Sequence, residues 1–190
     1  MSAHGRAVVG LGEGLPMTGR LLAIDLGEVR IGLALSDPGQ VVASPAETLH
    51  VPRGAEEPTL TALIDAITRH EAVGIVVGYP RSLDGREGSA ATRARHVADA
   101  LCERTGLPGV LVDERFTTTE AERVMLAQDA SRAERRRSID RVAASVLLQT
   151  VLATQRSRRQ AARAEGDGAP PDTAGAAAPS APPEEDVEWR

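Results

Sequence analysis

Apolar positions along the chain follow two different rhythms. Residues 20–26, RLLAIDL, form a nearly unbroken apolar run that ends at Gly27. A run this short, bounded by a turn residue, reads as a strand buried on both faces. Residues 30–36, RIGLALS, follow after a tight connection, and Pro38-Gly39 marks the next turn. Residues 41–49 offer a third strand. Three strands joined by short turns predict an antiparallel meander.

Beyond His50 the rhythm changes. Leu60, Leu63, Ile64 and Ile67 are spaced i, i+3, i+4, i+7, which puts one apolar stripe on a helix. VGIVV at 73–77 is again a fully apolar strand, and a Gly-rich stretch from Gly78 to Gly88 follows it. Ser89 to Thr105 reads as an Ala-rich helix stopped by Gly106 and Pro108, and GVLVD at 109–113 as another buried strand. Thr119 and Glu122 make a capping box for a helix through Gln128, and Ser138 caps a last helix running to about Gln155. Helices alternating with apolar strands imply parallel pairing by crossover. The expected fold is therefore α/β: a five-stranded mixed sheet, three antiparallel strands then two parallel, with helices on both faces.

The ends of the chain differ in composition. Residues 1–19 hold five Gly and one Pro without a clear period, and read as a flexible N-terminal arm. Met17 directly precedes the first strand and is a second candidate start. Residues 20–157 form the expected domain. Residues 158–190 read as a disordered acidic tail: from 164 onward Val187 and Trp189 are the only large apolar side chains, too few to offset the entropy of ordering.

Charge sharpens this division. The net charge is -5, but residues 165–190 carry seven acids and one Arg. The remainder of the chain therefore sums to about +1. Within it, residues 115–163 hold eleven Arg against five acids. A basic C-terminal half suits a nucleic-acid partner. Cys102 is the only cysteine, which excludes an internal disulfide or a cysteine-based zinc cluster and fits a reducing compartment. No segment approaches the roughly 20 apolar residues of a membrane span, and the N-terminal stretch is broken by Glu13 and Pro16. A cytoplasmic location without membrane contact is expected.

Three acids fall on separate elements. Asp25 ends a buried strand, where an unpaired carboxylate is costly; Arg30, at the start of the next strand, is its ordinary partner. Asp113 closes the strand 109–113 and Glu114 follows it, at the strand end where α/β sheets bind ligands, but successive residues face opposite ways. Only one of the pair belongs in a shared site, and local sequence leaves the choice open. Asp140 lies in the first turn of the predicted last helix, where the dipole alone would favour an acid. Ala143 and Ala144 just beyond it would permit close approach to the sheet. Three such acids can hold Mg²⁺ or Mn²⁺, and two such ions can activate water against a phosphodiester. Arg132, Arg135, Arg136, Arg137 and Arg141 beside Asp140 would then contact phosphates, although a solvated helix face reads the same way.

Four segments, in order, resemble the YqgF family, also called RuvX: LLAIDLGEVRIGLALSDP at 21–38, VVGYPRSLDGREG at 76–88, VDERFTTTEAER at 112–123 and IDRVAASVLLQ at 139–149. The resemblance spans roughly residues 20–155 and implies a ribonuclease H-like fold. It also implies a nuclease that processes the 5′ end of the 16S ribosomal RNA precursor in ribosome biogenesis. Asp25, Glu114 and Asp140 are its implied catalytic and metal-holding residues, with Asp113 as the alternative to Glu114. Arg30, Arg115, Arg136, Arg137 and Arg141 are the expected nucleic-acid contacts. The strand at 73–77 leads into Gly78, where the related RuvC-type resolvases carry an acid, so RNA is favoured over branched DNA. A Holliday junction resolvase and a non-catalytic RNA-binding assembly factor are the other readings. The oligomeric state is left open.

Overall fold

The computed structural model describes residues 6–80, 87–113 and 132–166, and describes side chains in the last stretch over 141–163. Strands β2 (Arg20–Leu26), β3 (Arg30–Ser36) and β4 (Ala43–His50) form the expected antiparallel meander. β5 (Ala72–Tyr79) lies parallel to β2, and β6 (Gly109–Asp113) lies parallel to β5. Helices α1 (Glu56–Arg69) and α2 (Ser89–Thr105) occupy the two crossovers. Among the described residues, the order from β2 onward, three strands, helix, strand, helix, strand, helix, is the ribonuclease H-like plan.

The central strands are apolar on both faces because both faces are covered. Leu22, Ile24, Ile75, Val77 and Leu111 pack with α1 and α2. Leu21, Ala23, Val76, Val110 and Val112 pack instead with Ala144, Leu147, Leu148, Val151 and Leu152 of a long helix, α3 (Arg132–Gly166). β4 is an edge strand. It tolerates Pro45 there, and one extra residue bulges opposite Leu33 between the Gly32–Thr48 and Ala34–Pro45 pairs. α2 stops at Gly106, whose left-handed backbone (φ 71) lets its N–H reach the Cys102 carbonyl at 2.9 Å. Cys102 itself is core: burial, aided by nearby Asp99, pushes its thiol up to about 11.

Four expectations change. The sheet has six strands, because Val8–Val9 (β1) pairs parallel to β6 at the edge. The segment read as an arm is consequently part of the fold from residue 6 onward, with Ala7 and Leu15 buried. Its glycines serve close packing: Gly12 adopts φ +101, and a side chain there would press on Val151 and Gln155 of α3. α3 begins six residues before Ser138, which therefore lies inside the helix and does not cap it. It also runs to Gly166, past the boundary expected at 157. Its late arginines explain the extension. Arg158 bonds Glu13, Arg156 donates to the Val41 carbonyl at 3.1 Å, and Arg159 bonds the Met17 carbonyl, the Gly39 carbonyl (3.1 Å) and Gln40 Oε1 (2.8 Å). The expected capping box at Thr119 and Glu122 and the tail from 167 onward lie outside the described residues.

The turn after β3 is organised by Asp37. Its Oδ1 accepts from the N–H groups of Val41 (2.7 Å) and Val42 (2.8 Å), and its Oδ2 from that of Gly39 (3.0 Å). The Val42 and Val41 N–H groups hold its carboxyl below the usual carboxylate range. A lowered folded pKa gives stability that is present above the unfolded pKa and lost as pH falls through the folded one. The stability gap between wild type and Asp37→Asn should therefore be full near neutrality and shrink below about pH 4. Thermal melts across that range check it; a gap independent of pH would contradict the assignment.

Candidate active site

Asp25 is the next-to-last residue of β2. Alternation from Leu21 and Ala23 puts it on the face covered by α3. It is half-buried, and register places Gly32 directly opposite it on β3. On the other flank, the Ile24–Val77 pair sets Gly78 beside it on β5. With glycine on both sides, the positions directly beside Asp25 on the neighbouring strands carry no side chain. Arg30 is two residues before Gly32 on the same face, diagonal to Asp25 and within reach of a long side chain. Neither Asp25 nor Arg30 is without a partner.

The turn after Asp25 is tightly built. The Gly27 N–H reaches the Asp25 carbonyl at 3.2 Å. A Cβ at Gly27 would lie 2.3 Å from the Arg30 carbonyl oxygen, so only glycine fits. From α2, Arg93 donates to the Gly27 carbonyl at 3.0 Å. This turn sets where Asp25 stands at the C-terminal end of β2.

Asp113 is placed differently. It pairs in register with Tyr79, it is 5% exposed, and alternation from Val110 and Val112 turns it towards the α1–α2 face. Asp25 and Asp113 thus point to opposite sides of the sheet. Glu114 and Arg115 lie outside the described residues.

α3 bears the remaining expected acid. Position 140 is the ninth residue of the helix, past the turn in which the dipole acts. It precedes buried Ala144 by one turn and Leu148 by two, on the stripe that meets the sheet. Of the alanine pair only Ala144 faces inward; Ala143 is exposed, because the stripe repeats every three to four residues. The side chains of Asp140, Arg136 and Arg137 are outside the described residues. Arg141 is partly buried, and its Nε has no hydrogen-bond partner among the described residues.

The structure adds residues that periodicity did not single out. Arg95 stacks 5.1 Å from the centre of the Tyr79 ring and donates to its hydroxyl at 3.0 Å. Burial and then Glu87 raise the Tyr79 hydroxyl above its ordinary range, against the pull of Arg95. The sequence signal was available: Arg93 and Arg95 flank Ala94, one residue to either side of the buried stripe of α2. Among the described residues, no three His, Cys, Asp or Glu side chains gather closely enough to hold a metal ion. No described helix is long and apolar enough to cross a membrane.

Comparison with known proteins agrees with the segments quoted above. A protein of Pelotomaculum thermopropionicum named "Putative pre-16S rRNA nuclease" is 38% identical over 151 residues, covering 80% of this chain and 97% of the relative. One of the same name from Mycolicibacterium paratuberculosis is 43% identical over 154 residues, covering 80% and 89%. Among solved structures, Thermus thermophilus RuvC bound to a Holliday junction overlays with a TM-score of 0.49 at 13% identity, covering 74% of this chain and 95% of that one. The family model described as RuvX, Holliday junction resolvase, matches residues 19–154, and the chain belongs to that family.

Proposed function

We propose that this protein is a metal-dependent nuclease that hydrolyses a phosphodiester at the 5′ end of the 16S ribosomal RNA precursor. The observation that supports it most is the setting of Asp25. A carboxylate at the C-terminal end of β2 stands between two glycine positions, on the face that α3 covers. Position 140 continues the sheet-facing stripe of the same helix towards that end. Asp25, Glu114 and Asp140 would hold Mg²⁺ or Mn²⁺, since carboxylate oxygens are the donors that hard cations prefer. A cation held there would supply an activated water and charge stabilisation for the leaving oxygen. The orientation of Asp113 away from Asp25 favours Glu114 as the third ligand, because the residue after Asp113 reverses direction if the strand continues. Arg30 and Arg141, with Arg115, Arg136 and Arg137, would grip flanking phosphates. An rRNA precursor places the protein in the cytoplasm.

Branched DNA is the second reading, and the family description favours it. Gly78 weighs against it. The position beside Asp25, where RuvC-type resolvases carry an acid, offers no ligand here. Cleavage of two labelled substrates, precursor ribosomal RNA and a four-way DNA junction, with and without Mn²⁺, decides between them. Cutting of the RNA alone is the expected result. Binding without cutting of either substrate would replace the nuclease with an assembly factor.

A further inference from the structure

α2 sends two arginines to opposite sides of buried Ala94, and the two meet different fates. Arg95 turns towards β5, where Tyr79 carries its plane and Glu87, 3.4 Å away, balances its charge. Arg93 turns towards β2, and its partner among the described residues is a neutral group, the Gly27 carbonyl at 3.0 Å. No carboxylate among the described residues forms an ion pair with Arg93. The acid of the adjoining turn, Glu28, is bridged to Arg53 instead. One carbonyl satisfies one of the five N–H donors of a guanidinium, so charge and several donors remain unused. They are held two residues from Asp25, at the C-terminal end of β2, and Arg93 is partly exposed there.

We propose that Arg93 contacts a backbone phosphate of the nucleic acid and brackets Asp25 from the face opposite α3. Its chemistry suits such a contact, because a planar fork that always carries charge, preset by a backbone acceptor, loses little freedom on meeting a phosphate. The Gly27 carbonyl gives it an address. Because that carbonyl belongs to the turn that follows Asp25, the phosphate contact and the carboxylate share one rigid piece of backbone. A strand crossing the C-terminal edge of the sheet then meets arginine on both sides, from α3 on one face and from α2 on the other. This inference rests on the nuclease reading and adds to it a contact that the α3 arginines cannot supply.

The test reads binding, so that it stands apart from cleavage. Full-length protein binds a fluorescent fragment of the 16S precursor 5′ leader in EDTA, and anisotropy gives affinity across a range of salt concentrations. Arg93→Gln keeps a polar side chain but removes the charge; Arg93→Lys keeps the charge. Arg93→Gln should weaken binding several-fold at low salt and reduce the slope of log K against log salt by about one, with an unchanged melting temperature. Arg93→Lys should restore most of the slope. A slope for Arg93→Gln equal to wild type would overturn the proposal and leave Arg93 as a tether of the turn. So would a wild-type affinity indifferent to salt. Wild type that binds with the expected slope yet cuts neither substrate would overturn the nuclease reading and leave Arg93 in place.

Discussion

Replacing Asp25 with Asn should lower cleavage of precursor ribosomal RNA by more than ~100-fold, since even residues that merely support a metal ligand are worth about 10–100-fold. The substitution preserves shape and one acceptor oxygen, removes the charge and turns the second acceptor into a donor. Folding should survive it, because Gly32 and Gly78 flank Asp25 on the neighbouring strands and the core around Leu22 and Ile24 lies on the other face of the sheet. Single-turnover cleavage, with circular dichroism and a thermal melt as controls, makes the measurement. Equal cutting by wild type and Asp25→Asn would remove Asp25 from the chemistry. Collapse of the fold without the carboxylate would instead make Asp25 a structural partner of Arg30.

Starting the chain at Met17 should cost roughly 3 kcal/mol or more, judged from the burial of one leucine and smaller apolar groups. The truncation removes Leu15 and Ala7 from the core and strips β1 from the edge of β6. It also takes away Glu13, the partner of Arg158, and uncovers Gln155, which is 1% exposed beneath Gly12. For a domain of this size the melting temperature should fall by about 6–12 °C. A truncated protein that melts with the full chain would show residues 6–16 to be a loose covering, as their composition suggests.

The contrast between these two regions shows what a sequence makes plain. β2, β5 and β6 were legible because burial on both faces forces unbroken runs of Leu, Ile and Val. α1 and α2 were legible because each shows one apolar stripe with a clear stop. β1 was not: two valines among five glycines carry no period, and their strand exists only because β6 offers an edge. The extension of α3 was hidden for a related reason. Arg156, Arg158 and Arg159 look like a solvated end until the arm and the β3–β4 turn supply their acceptors. In the site, Asp25 stood out as a carboxylate in an apolar run. Arg93 flanks the buried stripe of α2, which the sequence shows, but its partner is a main-chain oxygen 66 residues away, and no side-chain pattern records which carbonyl it meets.

The lone cysteine gives the molecule a built-in clock. Cys102 lies beneath Gly109 with its thiol raised to about 11, so almost none of it is the thiolate that reacts with alkylating reagents. Native protein should resist labelling, and each opening that frees α2 from β6 exposes one fresh sulfhydryl. Labelling under excess reagent then counts those openings directly, with no engineered probe and no second cysteine to confuse the signal.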